Sequence, residues 1–231
     1  MVLVIAAGVL ALRSAPAATT SGGSGSSTTP VSTTSAPSKP VILYINQGNG
    51  AVNQTNFGSM LSFAASQGFN TIFFQVYREG ALLFNTDQLG AFVVQAHGAG
   101  LRIFFALYFT NSTQPLPTSI YPLGEDGISL DMSALPISTQ SSLLSAVRQG
   151  FQTGKVAITT TDFTLPLSPD LLVLETYGSQ YQSYIHPGIV AGVGVFATSS
   201  KSDYEQQFQY ALQNSDGVMV FDYAGLLKSG Y

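Results

Sequence analysis

The chain has 231 residues, with 8 Lys+Arg, 12 Asp+Glu, 2 His, no Cys and no Trp, a formal net charge of −4 and only 9% charged residues. So few basic groups exclude a nucleic-acid partner, whose phosphates need clustered Lys and Arg, and the lack of cysteine excludes disulfide scaffolds, thiolate zinc sites and cysteine nucleophiles. A charged fraction far below the roughly 25% of ordinary soluble proteins leaves Ser, Thr, Gln, Asn, Gly and Tyr to build the surface, which is the expectation for an extracellular protein in an acidic setting.

Residues 1–12 are apolar and uncharged, and Arg13 is followed by Ala15-Pro16-Ala17, a small-x-small sequence of the kind a signal peptidase accepts. Residues 1–17 therefore read as a signal peptide or a truncated membrane anchor. The apolar run falls short of the about 20 residues that span a bilayer, and a buried N-terminal strand is the alternative. Residues 18–39 form a Ser/Thr/Gly/Pro-rich linker whose composition cannot bury enough surface to fold. The linker is open to O-glycosylation, and Asn53-Gln54-Thr55 and Asn111-Ser112-Thr113 are N-glycosylation sequons. The expected location is extracellular or at the cell surface.

From residue 40 to the end the texture is that of one α/β domain. The first strand spans 41–47. A helix follows, in which Phe57, Met60, Leu61 and Ala64 keep the i, i+3, i+4, i+7 spacing and Gly68 stands at the C-terminal cap. The second strand is 71–77, and a helix over 87–97 has Thr86 as its N-cap. Strands at 101–109 and 127–132 come next, then a helix over 139–151 carrying Leu143, Leu144 and Val147. Strands follow at 155–162, 171–176 and 189–197. Ser202 and Glu205 have capping-box spacing ahead of a helix with Tyr204, Phe208, Ala211 and Leu212, and the eighth strand is 217–223. Runs rich in Val, Ile, Phe and Tyr, alternating with helices, define a parallel sheet buried on both faces.

Eight such strands predict a compact (β/α)8 TIM-like barrel. Such barrels typically need about 250 residues, so one or two outer helices are expected to be missing. Pro115, Pro117 and Pro122 in one connection and Pro166 and Pro169 in another mark where. A doubly wound open sheet is the alternative. No GxGxxG follows the first strand, so Gly48-Asn49-Gly50 does not signal a dinucleotide, and no cofactor is implied.

Glu79, Asp131, Asp162, Glu175 and Asp222 all fall at or just beyond the C-terminal ends of predicted strands, the face that bears active sites in parallel barrels. Alternation puts Ser129 with Asp131, Val173 with Glu175, and Val218 with Asp222; if these faces point to the axis, acids from the fourth, sixth and eighth strands meet at one mouth. Carboxylates gathered in a partly apolar pocket are driven to different pKa values. Glycoside hydrolysis uses that asymmetry, one acid protonating the departing oxygen while its ionised partner attacks or activates water. Tyr44, Tyr77, Tyr108, Tyr177 and Tyr223 cluster near the same strand ends and suit sugar faces, with core packing as the plain alternative. Arg78 is a candidate to bind a substrate hydroxyl or orient a carboxylate, or simply a surface ion pair. His97 and His186 carry no catalytic assignment.

Asp126-Gly127-Ile128-Ser129-Leu130-Asp131, with Pro136 beyond, resembles the fourth-strand signature D-G-I-x-x-D-Y-x-R-x-P of secreted (β/α)8 glycoside hydrolases. Gly217-Val218-Met219-Val220-Phe221-Asp222-Tyr223 leading to Leu226 resembles their closing G-x-x-x-F-x-Y-x-x-L strand, and Gly68-Phe69-Asn70-Thr71 resembles their G-x-N-T entry to the second strand. The resemblance implies a barrel, Asp131 as nucleophile or base and, with it, Glu175 as acid. Met132 stands where that signature has Tyr, and Ala134 where it has Arg.

These readings converge on a glycoside hydrolase-like protein acting on polysaccharide, with Asp131 and Glu175 catalytic and Tyr44, Tyr77, Arg78, Glu79, Asp162, Tyr177, Asp222 and Tyr223 binding substrate. A non-catalytic carbohydrate-binding or cell-surface structural barrel is the second reading. A Ca²⁺ or Mg²⁺ site built from the five acids is the third, although no D-x-D-x-D-G loop is present.

Overall fold

The computed structural model of the chain describes residues 39–47, 52–162, 164–178, 180–198 and 200–231, and the expected signal or anchor, the linker up to residue 38 and Gly48-Asn49-Gly50 lie outside them. Eight parallel strands close into a barrel: β1 (Val41–Ile45), β2 (Thr71–Arg78), β4 (Arg102–Tyr108), β5 (Gly127–Asp131), β6 (Lys155–Thr160), β7 (Leu171–Glu175), β8 (Val190–Gly194) and β9 (Gly217–Phe221). β1 completes the circle by pairing with both β2 and β9. A two-residue strand, β3 (Ala81–Leu82), turns back antiparallel against the end of β2. The closed barrel rules out the open doubly wound sheet.

The helices form where the apolar stripe has a sheet to cover. In α1 (Phe57–Ser66) the buried residues are Phe57, Met60, Leu61 and Ala64, and Gly68 follows at φ 80°, a left-handed conformation that costs glycine little. α2 (Thr86–Gly98) begins one residue earlier than expected. Asn85 is its N-cap, because Asn85 and Gln88 satisfy each other's backbone N–H groups in a capping box. α3 (Ile137–Gly150) follows β5. α4 (Lys201–Asn214) is capped by Ser200 accepting from the Asp203 N–H, two residues ahead of the expected Ser202–Glu205 box. A short α5 (Tyr223–Lys228) closes the chain.

Among the described residues, three connections lack an α-helix, one more than the expected maximum. The β4–β5 segment holds only a 3₁₀ turn at Thr118–Ile120, the proline-bearing β6–β7 segment has no helical turn, and the β7–β8 segment holds a 3₁₀ turn at Tyr181–Ser183. In this last connection Tyr181 and Ile185 bury themselves against the barrel and do a helix's covering work.

The core has two layers. Ile42, Tyr44, Phe73, Phe104, Ala106, Ala157, Val173, Val190 and Met219 fill the barrel, with Phe73 stacked on Phe104 at 4.9 Å between ring centroids. The larger layer lies between strands and helices. At about 25 cal/mol per Å² of apolar surface, each fully buried Phe or Leu contributes on the order of 2–3 kcal/mol. Interior residues recur every second position, so polar groups at the last inward position of each strand rise to the C-terminal mouth.

A buried acid lies at the opposite end. Glu125, just before β5, is 4% exposed, and neither carboxylate oxygen has a hydrogen-bond partner among the described residues. Burial pushes its carboxyl up to about 7, the backbone N–H groups of Glu125 and Leu123 opposing the rise from outside full hydrogen-bond geometry and the charge of Asp126 adding to it. Because the folded-state pKa exceeds the unfolded one, this group costs no stability below about pH 4.5. The cost grows as pH rises towards 7 and is constant above that. Glu125→Gln is therefore expected to stabilise the protein by about 2 kcal/mol at pH 8, after allowance for solvent screening, and by nearly nothing at pH 4. Urea unfolding of both proteins at the two pH values is the measurement, and equal gains at both would refute the account.

Candidate active site

The C-terminal ends of the strands surround a cavity of about 290 Å³. Tyr44 of β1 stands at its floor, Asp131 and Glu175 face it from β5 and β7, and Arg78 and Tyr108 line it from β2 and β4. Tyr177, Phe196 and Phe221 form the remaining aromatic wall, and Asn46 and Gln75 complete the lining.

Strand alternation delivers the two acids. Ser129, two residues before Asp131, faces inward and pairs with the Thr159 hydroxyl at 3.3 Å, and Val173, two before Glu175, belongs to the barrel interior. Asp131 is registered beside Tyr108 on one side and Thr159 on the other. Burial raises the Asp131 carboxyl to about 6, while the hydroxyl and backbone N–H of Ser133 oppose the rise. Burial first and the negative charge of Asp131 second raise Glu175 to about 7, against the opposing Tyr177 hydroxyl. That hydroxyl acts on Glu175 from outside full hydrogen-bond geometry and is otherwise buried without a partner.

Tyr44 and Tyr177 are held firmly protonated, first by burial and then by the nearby Asp131 and Glu175 charges. They are thus O–H donors at neutral pH. Arg78 is fixed from two sides, its Nε donating to Glu79 at 3.1 Å and its guanidinium lying 5.8 Å from the Tyr108 ring centroid.

A β-bulge decides which residue of β2 reaches the mouth. Gln75 pairs with Ala106 but Tyr77 pairs with Leu107, so Val76 is an extra residue and the alternation flips. Tyr77 consequently points outward, packing on Phe109 and donating to the Pro115 carbonyl, and Arg78 comes inward beside Tyr108. Without the bulge, plain alternation would have put Tyr77 in the cavity.

The structure thus gathers Asp131, Glu175, Tyr44, Arg78 and Tyr177 of the expected residues and leaves others outside. Tyr77 lies in the outer layer, and Tyr223 is in α5, 5.4 Å from the Phe63 ring. Glu79 is exposed in a turn at φ 54° and meets the site only through Arg78. Asp162 is fully exposed and accepts from the Thr164 hydroxyl and N–H, which lowers its pKa. Asp222 is a near miss. In β9 it is Met219 and Phe221 that face inward, not Val218, so Asp222 falls past the strand end, where its carboxylate caps α5 through the Gly225 N–H at 2.9 Å. It lines the adjoining cleft with Phe196, Phe221 and Lys228. The five acids therefore do not form one group. Among the described residues no three His, Asp or Glu side chains are placed to hold a metal ion.

Sequence reasoning missed Gln75, Asn46, Phe196 and Phe221. Gln75 had a signal, as the one amide within Thr71–Arg78, and its side chain accepts the Gln47 N–H at 2.9 Å, pinning the β1–α1 connection to the mouth. Phe196 had none, because a 3₁₀ turn at Val195–Ala197 ends β8 early and sends the ring out, 65% exposed, 5.0 Å from the ring centroid of Tyr177.

A cleft with two coupled carboxylates and neutral phenols can protonate a departing oxygen and supply a negative charge opposite it. The class so defined is a TIM-like α/β barrel with an acidic C-terminal mouth. No family model and no curated protein matches the sequence. Solved structures do resemble its fold. A GH113 β-1,4-mannanase superposes with a TM-score of 0.56 at 9% identity, covering 80% of this chain and 88% of that one. The GH18 chitinase ChiB from the chitin utilization locus of Flavobacterium johnsoniae gives 0.53 at 13%, covering 81% and 89%. CpGH84B gives 0.53 at 7%, covering 79% of this chain, which spans only 44% of its length. At such identities the likeness is one of fold, which a tryptophan synthase shares.

Proposed function

We propose that this protein is a glycoside hydrolase-like barrel acting on polysaccharide, with Glu175 as the general acid and Asp131 as the nucleophile or base. One observation carries the reading: two carboxylates from separate strands open into one cavity, and the charge of Asp131 raises the pKa of Glu175. The productive state has Asp131 ionised and Glu175 protonated, and it is most populated between about pH 6 and pH 7. Tyr44 and Tyr177 donate hydrogen bonds from the floor and wall, Arg78 binds a substrate hydroxyl, and Phe196 and Phe221 offer faces to sugar rings.

A bell-shaped kcat/KM profile is expected, rising with Asp131 ionisation near pH 6 and falling with Glu175 ionisation near pH 7. Screening chitin, mannan and other glycan oligomers for turnover, then profiling the best from pH 4 to 9, tests it. A rate unchanged across pH 5–8 would count against the assignment.

The low charge, the export-like N-terminus and exposed Asn53 and Asn111 in their sequons support a secreted or surface-tethered glycoprotein. Intact-mass measurement of protein secreted from a eukaryotic host tests this, with removal of the first 17 residues and added glycan mass expected. The non-catalytic carbohydrate-binding reading draws on one feature: Ala134, at the position of the signature Arg, is in an exposed turn and Met132 is buried in the outer layer, so neither enters the mouth. Glycan binding without turnover would favour it.

A further inference from the structure

The N-terminal end of the barrel holds a second cavity, of about 280 Å³, among whose lining residues are Lys39, Thr71, Arg102, Lys155 and Asp216. Three of the chain's eight basic residues line it, Arg102 and Lys155 as the first residues of β4 and β6 and Lys39 two residues ahead of β1, and Asp216 is the one carboxylate among the lining residues. In a chain of net charge −4 this surplus of cation is not dispersed into ion pairs. The salt bridges among the described residues join Arg78 to Glu79, His97 to Asp126 and Arg148 to Asp170, and none uses these three cations.

Two of the three are positioned by the fold. Lys39 Nζ donates to the Ser215 carbonyl at 2.7 Å and the Leu212 carbonyl at 3.3 Å, at the C-terminal end of α4. Arg102 donates one guanidinium N–H to Asn70 Oδ1 at 3.3 Å, and the same oxygen accepts from the Val41 N–H at 3.0 Å and the Thr71 hydroxyl at 2.9 Å. That network anchors Arg102 while leaving most of its donors uncommitted. The Lys155 backbone N–H donates to the Asp126 carbonyl at 3.1 Å, while its ammonium has no hydrogen bond or ion pair among the described residues.

We propose that this cavity binds a tetrahedral oxyanion, a phosphate or sulfate monoester. Arg102 and Lys155 from two strand starts and Lys39 ahead of a third line one cavity, so an anion that presents oxygens in several directions meets more of these donors than a planar carboxylate does. The lining carries two more positive charges than negative, since the neighbouring Asp126 and Asp170 are engaged by His97 and Arg148, and the volume admits a monosaccharide phosphate or sulfate. The site is at the far end of the strands from Asp131 and Glu175, so it is independent of the chemistry proposed there.

Calorimetric titration of the full chain at low ionic strength with inorganic phosphate, inorganic sulfate and glucose 6-phosphate tests the proposal. Saturable 1:1 binding is expected, weakened on the order of tenfold or more in Lys155→Gln and Arg102→Gln and unchanged in Glu175→Gln. Tighter binding of the sugar phosphate would identify a monoester as the ligand, and equal binding would identify the free ion. Lys155 is exposed, so Lys155→Gln should melt like the parent without ligand and lose the rise in Tm that phosphate confers. Absence of saturable binding to all three probes, or binding by Lys155→Gln at parental strength, would overturn the site. Either result leaves glycan turnover at the other mouth to be judged separately.

Discussion

Asp131→Asn and Glu175→Gln are each expected to reduce turnover of a susceptible glycan by about two to four orders of magnitude, the range over which positioned acid–base groups act. Both changes preserve shape and remove a partly buried charge, so neither should unfold the barrel. Each folded-state pKa is raised, so the ionised carboxylates cost stability above about pH 7, and both variants should melt at or above the parental temperature at pH 8. The two losses should differ in kind. Glu175→Gln should retain much of its rate on an aryl glycoside whose leaving group needs no proton, and its profile should lose the basic limb near pH 7. Asp131→Asn should be impaired on both substrate types, and the carboxyl of Glu175 should fall in pKa once the neighbouring charge is gone. Full activity in either variant, with the fold intact by circular dichroism, would remove that residue from the mechanism.

The contrast between what was legible and what was not follows from the range of the determinants. Strand positions and the inward parity of Asp131 and Glu175 depend on hydrophobic runs and two-residue alternation, which are local and survive wherever the ladder is regular. Parity failed at Tyr77 because Val76 is an extra residue, and whether a strand bulges depends on its neighbour β4 rather than on its own sequence. It failed at Asp222 for a related reason: Phe221 rather than Asp222 takes the last inward place, and the chain then turns into α5 with Asp222 as its cap. Caps were off by one or two residues at Asn85 and Ser200 because adjacent polar residues compete for the same N–H groups. The basic cavity was invisible in the sequence. Lys39, Arg102 and Lys155 are isolated cations along the chain, and only closure of the barrel brings their strand starts together.

Gly127→Ala is expected to destabilise the protein by about 3 kcal/mol or more, at the upper end of what overpacking costs. A Cβ at Gly127 would stand 2.2 Å and 2.4 Å from two carbons of the Phe104 ring and 2.6 Å from the Lys155 carbonyl oxygen. Neither neighbour has room to yield. Phe104 is held by its stack on Phe73, and the Lys155 carbonyl belongs to the β5–β6 ladder, in which Gly127 is registered against Lys155. The barrel interior therefore uses glycine on β5 to admit an aromatic ring from β4, the alternation of small and large groups that a tapering interior needs. Gly90 in α2 is the matched control. Apart from its chain neighbours and its own helix backbone, no atom lies within 4 Å of where its Cβ would be, so Gly90→Ala should raise stability by about 0.5–1 kcal/mol through helix propensity. Thermal and urea unfolding of the two variants side by side decides the matter. If Gly127→Ala unfolds like the parent, the β4–β5–β6 register is wrong, and the inward orientation of Asp131 four residues along the same strand loses its support.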